Sequence, residues 1–145
     1  MGIGTEKQIL IIDNNADHVQ IAEQVFADDT VQVIAIANGL QALDYLHQKG
    51  NYTEAARPDL VLLDLQLSDQ TGWDILAGIK ADEQLWQIPI VVLTVSEDPV
   101  DILQSYTLQG NCYVVKTSEP GQLAKIIQQI KEFWLEIVTL PRELK

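Results

Sequence analysis

Four residues of this sequence stand where chemistry could be done, each at the end of a short apolar run. Asp13 follows "QILII" (8–12), and Asp64 closes "DLVLLD" (59–64). Thr94 closes "IPIVVLT" (88–94), and Lys116 closes "NCYVVK" (111–116). Two carboxylates, a hydroxyl and an amine make a coherent set. Carboxylate oxygens hold Mg²⁺. A carboxylate is also a nucleophile toward phosphorus and yields an acyl phosphate. An amine and a hydroxyl then neutralise and hydrogen-bond the phosphoryl oxygens. Each residue alone has a plainer reading. An Asp at a strand end caps a helix or forms a turn, Thr94 is a strand residue, and Lys116 is a solvated charge. The set gains meaning only if the fold gathers the four ends.

The elements that must do so are legible. A fifth apolar run, "VQVIAIA" (31–37), ends in "ANG" and carries nothing reactive. Several runs are apolar throughout, as expected for strands buried on both faces of a parallel sheet. Between them lie stretches with helical spacing. Residues 17–27 place Ile21, Ala22, Val25 and Phe26 on one face, 40–48 place Leu43 and Leu46, and 72–81 place Ile75, Leu76 and Ile79. Residues 99–108 open with Asp98 as N-cap and Pro99 at the first helical position. A last helix is expected from near Ser118, with a stripe of Leu123, Ile126, Ile127, Ile130, Phe133, Trp134 and Ile137. Strand and helix alternate five times. The expected product is a doubly wound α/β domain, a five-stranded parallel sheet of order 2-1-3-4-5 with helices on both faces. Its ligand site lies beyond the carboxyl ends of the strands. In that order the four reactive ends are neighbours in one shallow cleft, and the inert one is at the edge.

Composition narrows the function classes. The chain has 145 residues, 47% of them hydrophobic, which suits one domain with one core. Its formal charge of −12 repels nucleic acid and anionic membrane, and also serves solubility. Cys112 is the single cysteine, so no internal disulfide forms, in keeping with a reducing cytoplasm. The start "MGIGTEKQ" has no signal-peptide pattern. No apolar run approaches the roughly 18 residues of a membrane span. A cytoplasmic protein that binds neither nucleic acid nor membrane is expected.

The stretches "IIDNN", "LVLLDLQLSDQTGWDIL", "IPIVVLTVS" and "CYVVKT" resemble the receiver domains of two-component response regulators, from about Lys7 to Trp134. The spacings from Asp64 to Thr94 and from Thr94 to Lys116 fit that family without gaps. The resemblance implies a flavodoxin-like receiver fold with Asp64 as phosphoacceptor. It makes Thr94 the switch hydroxyl, Lys116 the lysine that pairs with the phosphoryl group, and Tyr113 the switch aromatic. Asp13, Asn14 and Asp64, with the backbone carbonyl of Gln66, would hold Mg²⁺. Gly72 fits the turn before the third helix. Further stretches, "NGLQALDYLHQKGNYTEAARPDLVLLDL", "NCYVVKTSE" and above all "FWLEIVTLP", resemble the small stand-alone regulators that partner cyanobacterial phytochromes. That likeness implies a histidine kinase of phytochrome type as donor. It also implies a homodimer through the fourth-helix, fifth-strand and fifth-helix face, helped by the tail. Residues 1–137 are read as a single receiver domain and 138–145 as a C-terminal extension with no output domain.

Some positions depart from the family. By ungapped alignment Asn14 stands where the second of two adjacent acids touches the metal. An amide oxygen still ligates but brings no charge, so weaker Mg²⁺ binding is expected. A one-residue slip would put Asp13 there and Ile12 in place of the first acid, although Ile12 suits a buried strand. Thr117 follows Lys116 where most receivers have a proline, and Ser68 and Thr71 replace the usual Pro and Asp. His18 and His47 read as surface histidines with no carboxylate cluster nearby, and Cys112 as a small buried hydrophobe. Trp73 and Trp86 have no evident stacking partner. The apolar tail, with Phe133, Trp134, Leu135, Ile137, Val138 and Leu140, must pack in part on the domain or on a second subunit.

Three other functions compete. One is a binding module that no longer needs phosphorylation, for which Asn14 speaks and the retained Asp64, Thr94 and Lys116 do not. Another is a phosphatase of the haloacid dehalogenase type, which wants a second Asp where Gln66 stands. A flavin-binding flavodoxin is the third, and "DNNAD" is no phosphate-cradling loop.

Overall fold

The computed structural model describes residues 6–67 and 72–141, so Ser68 and Thr71 lie outside the described residues. The strands are β1 (Lys7–Ile12), β2 (Val31–Ile36), β3 (Leu60–Leu63), β4 (Ile90–Thr94) and β5 (Cys112–Val115). The helices are α1 (Ala16–Phe26), α2 (Gly39–Leu46), α3 (Gly72–Lys80), α4 (Pro99–Thr107) and α5 (Pro120–Lys131). All strand pairs are parallel, and the order is β2-β1-β3-β4-β5, as expected.

Strand pleating explains why the runs are apolar throughout. Successive side chains point to opposite faces. Ile9 and Ile11 of β1, Leu60 and Leu62 of β3, and Val91 and Leu93 of β4 pack under α1 and α5, against Ala22, Phe26, Leu123 and Ile127. The alternate residues Leu10, Ile12, Val61, Leu63, Ile90 and Val92 meet α2 and α3 on the other face, against Ala42, Leu46, Ile75 and Ile79. Both faces are covered, so neither parity holds a polar residue along 9–12, 60–63 and 90–93 of the three central strands. The edge strand β2 is only partly covered, and it tolerates Gln32 exposed in mid-strand.

Helix starts follow side-chain chemistry. The side chains of Asn15, Asn38 and Asp98 accept from the backbone N–H groups of His18, Gln41 and Val100. The last helix begins later than Ser118. Pro120 takes the first helical position, and the Glu119 carboxylate caps the N–H groups of Gly121 and Gln122. A 3₁₀ turn at Gly50–Tyr52 and a π-helical segment at Glu132–Ile137 were not foreshadowed by periodicity. In that segment the winding widens, and the expected stripe breaks. Trp134 and Leu135 still pack against the α1–α5 core, while Phe133 and Ile137 are 50% and 71% exposed. Leu140 is buried. Among the described residues no helix is long and apolar enough to cross a membrane.

Candidate functional site

Backbone and side chain part company at the strand ends. The Asp13 N–H donates to the Ile36 carbonyl at 3.2 Å and the Asp64 N–H to Ile12 at 2.9 Å. The Lys116 N–H donates to Thr94 at 2.8 Å. These residues thus extend the ladder by one step and hang their side chains beyond it. The pleat decides the sides. Asp13 shares parity with Ile11, Asp64 with Leu62, and Lys116 with Val114, so all three lean toward the α1–α5 layer. Thr94 and Tyr113 have the other parity, and Tyr113 packs with the opposite core.

The result is a compact charged centre. Lys116 Nζ lies 2.7 Å from Asp13 Oδ2 and 2.8 Å from Asp64 Oδ2. Asp64 Oδ1 accepts from Thr94 Oγ1 at 3.0 Å and from the Gln66 N–H at 3.0 Å. Asp13 Oδ1 accepts from the Asn15 N–H at 2.8 Å. Asp13, Asp64, Thr94 and Lys116 are 7%, 6%, 0% and 4% exposed, so four polar side chains are buried together and all bonded. One lysine against two aspartates gives the centre a formal charge of −1, which suits a cation or a polarised electrophile.

Asn14 and Gln66 stand exposed at the rim of this centre. Among the described residues no group of three or more His, Cys, Asp or Glu side chains is arranged to hold a metal. Asp13 and Asp64 therefore supply the charge, and neutral oxygens, the Asn14 amide and the Gln66 carbonyl, are the available complement. An all-oxygen set of this kind fits a hard divalent cation, with one carboxylate fewer than three acids would give.

A second line of contacts leads away from Asp64. Thr94 reaches it from the end of β4. Two residues on, the Ser96 carbonyl accepts from the Tyr113 hydroxyl at 2.9 Å, and Ser96 Oγ donates to Asp101 Oδ2 at 2.5 Å. The Tyr113 N–H donates to the Tyr106 hydroxyl oxygen at 3.2 Å. The β4–α4 loop, α4 and β5 are thus tied together beside the centre. Burial raises the Tyr113 phenol above the usual tyrosine range; the hydrogen bond to Ser96 opposes this, and the carboxylates of Asp101, Asp64 and Asp98 add to it.

The sequence expectations meet the structure unevenly. Asp13, Asp64, Thr94 and Lys116 converge, Asn14 and Gln66 flank them, and Tyr113 sits one contact further out, bonded to Ser96. Gly72 presses on the centre's backbone: a Cβ there would lie 2.5 Å from Leu65 Cα and 2.6 Å from the Asp64 carbonyl oxygen. His47 is a surface histidine as expected, exposed, with Nε2 2.8 Å from the single carboxylate of Asp82 and Nδ1 3.0 Å from the Leu43 carbonyl; His18 departs from that reading. His18 is half-buried and borders the same cavity as Asp13, Asp64 and Lys116. Its signal was present: His18, Ala22 and Phe26 are spaced i, i+4, i+8, and the latter two are buried. Cys112 is only half-buried, and burial pushes its thiol up.

Comparison with known proteins decides the family. The response regulator receiver domain model matches residues 9–128. The chain belongs to the response regulator receiver domain family. Such domains are signalling proteins rather than enzymes that turn over an external substrate. This receiver is 39% identical over 137 residues to response regulator Rcp1 of Synechocystis sp., covering 93% of each chain. Among solved structures it superposes with a TM-score of 0.92 on the phosphorylated cyanobacterial phytochrome response regulator RcpA, at 40% identity, covering 94% of this chain and 99% of that one. The Mn²⁺-bound form of Rcp1 superposes with a TM-score of 0.90, at 39% identity and with the same coverage. The receiver is thus a homologue of phytochrome response regulators.

Proposed function

We propose that this receiver is a single-domain response regulator that accepts a phosphoryl group on Asp64 from a histidine kinase, of phytochrome type, and thereby changes its protein partners. The observation that carries the reading is the buried centre, where Lys116 bridges Asp13 and Asp64 while Thr94 Oγ1 donates to Asp64. In the transfer an Asp64 oxygen forms a bond to phosphorus as the phosphorus–nitrogen bond of the donor phosphohistidine breaks. The leaving imidazole keeps the electron pair. Lys116 and Thr94 stand ready to meet the new phosphoryl oxygens. Mg²⁺, when bound, neutralises charge on the transferring group. Asp13, Asn14, Asp64 and the Gln66 carbonyl would hold it, weakly because Asn14 is neutral. Thr94 lies two residues before Ser96, which bonds Tyr113 and Asp101, so a shift of its hydroxyl toward a phosphoryl oxygen would be passed along the chain and repack the face made by α4 and β5. The kinase class rests on the likeness to Rcp1 and RcpA. Residues 1–137 act as the receiver and 138–145 as an extension, in the cytoplasm, with a homodimer through the α4–β5–α5 face.

Asn14 favours a second reading, a receiver that binds partners without phosphorylation. Incubation with acetyl phosphate across a Mg²⁺ series, followed by intact mass, separates the two. One added phosphoryl group, absent from Asp64→Asn, is the expected result. A folded protein that gains no mass at any Mg²⁺ level would overturn the proposal in favour of the second reading.

A further inference from the structure

Beneath the two carboxylates, between the sheet and the α1–α5 layer, lies a cavity of about 10 Å³ bordered by Asp13, Asp64, Lys116 and His18. That is roughly the room one water needs. The rest of its wall is apolar and includes Ala22 and Leu123. Two of the residues that border it, His18 and Lys116, have hydrogen-bonding capacity without a partner among the described residues. His18 Nδ1 is buried and has no partner among the described residues. Lys116 Nζ carries three N–H donors, and its carboxylate contacts use two of them. A water that accepts from Lys116 and donates to His18 Nδ1 and to a carboxylate would have three partners, the usual number for a buried water. The start of α1, which carries His18, is anchored to the centre: the backbone N–H of His18 donates to Asn15 Oδ1 at 3.1 Å, and the backbone N–H of Asn15 donates to Asp13 Oδ1.

We propose that this cavity is a one-water site and that His18 is a positioning residue, which through that water holds Lys116 between Asp13 and Asp64. The kinetic consequence rests on Asp64 being the phosphoacceptor; the water site does not. A Lys116 with its third donor engaged is fixed in one geometry when phosphoryl oxygens arrive.

Two measurements test this on the full chain. The first is ¹⁵N nuclear magnetic resonance of the wild-type protein at a pH of about 8, above the ordinary imidazole range. The expected result is a single His18 tautomer, protonated on Nε2 and accepting at Nδ1, with cross-relaxation to a long-lived water. A mixture of tautomers with no water contact would overturn the site. The second is the rate of acetyl phosphate labelling at saturating Mg²⁺. His18→Leu, which fills the space without a polar atom, is expected to slow it about three- to tenfold. His18→Asn, which keeps a polar atom near the Nδ1 position, should recover the rate to within about twofold of wild type. A role in packing alone reverses that order, with His18→Leu the better variant, and would overturn the positioning role. If His18→Leu fails to fold, His18→Asn and the resonance measurement decide. If wild-type protein is not labelled at all, the phosphoacceptor reading fails, and the resonance measurement still decides the water site.

Discussion

The meeting of Asp13 and Asp64 was legible in the sequence because a charged residue directly after a doubly buried strand has one place to go, out past the strand's end; Lys116 follows the half-buried edge strand β5 and was legible from the apolar run before it. His18 was not legible in the same way. A lone histidine in the first turn of a helix gains its meaning from what α1 packs against, and that is tertiary information. Asn14 carries the sharpest prediction at this scale. Asn14→Asp adds one negative charge to the oxygen set, so Mn²⁺ or Mg²⁺ binding should tighten about tenfold. Isothermal titration would show it, and an unchanged midpoint would mean that residue 14 does not reach the metal. Tyr113 carries a pH prediction. Its phenol is raised in the folded state, chiefly by burial. Above about pH 10 the unfolded chain therefore loses this proton first, and the contribution of Tyr113 to stability falls as pH rises through that range. Wild-type protein should lose stability more steeply than Tyr113→Phe there, in urea titrations run at each pH. Equal slopes would contradict the buried phenol.

The sheet places the chemistry by parity. Asp13, Asp64 and Lys116 share one side of the pleat, and Thr94 and Tyr113 the other, so Asp64 is approached by an ammonium from one side and a hydroxyl from the other. This follows from counting residues along strands whose ends are fixed by the apolar runs, and it explains why strand order and the meeting of these four side chains could be read in advance. The π-helical turn at Glu132–Ile137 could not, since its apolar residues fit a continuing α-helix equally well. Gly72 shows how the start of α3 is coupled to the centre. A methyl group at this position collides with backbone atoms of Asp64 and Leu65, which have no rotamer to escape into. Gly72→Ala should destabilise the fold by about 1–3 kcal/mol, as overpacking does, seen as a lower urea midpoint. It should also slow acetyl phosphate labelling, because the strand end that must yield carries Asp64. A stable variant with normal labelling would show that α3 is free to slide away.

The surface of the whole molecule is in tension with itself. The chain carries −12, yet Val100, Leu103 and Tyr106 of α4, Val115 of β5, and Phe133 and Ile137 beyond α5 are exposed. These groups lie around one edge of the sheet. Tyr106 is bonded to the β5 backbone, and Trp134 packs against the same core as Cys112 of β5, so α4 and the π-helical segment both meet that side of the sheet. The tail's apolar residues divide accordingly. Trp134, Leu135 and Leu140 satisfy themselves against their own domain, while Phe133, edge-on to Trp134, and Ile137 leave half or more of their surface exposed. An apolar edge on a strongly acidic protein makes self-association depend on salt. Two copies repel each other over a Debye length of about 10 Å at 0.1 M, and added salt removes that repulsion while leaving the apolar contact intact. Sedimentation velocity should therefore find a homodimer whose fraction grows as NaCl rises from roughly 0.05 to 0.5 M. Phe133→Ser combined with Ile137→Ser should shift it toward monomer. Ile137 is 71% exposed, while Phe133 is half-exposed and packs edge-on against Trp134, so the pair should lower the urea midpoint only modestly. A wild-type protein that stays monomeric across the salt series would remove the dimer and leave this edge to a different partner.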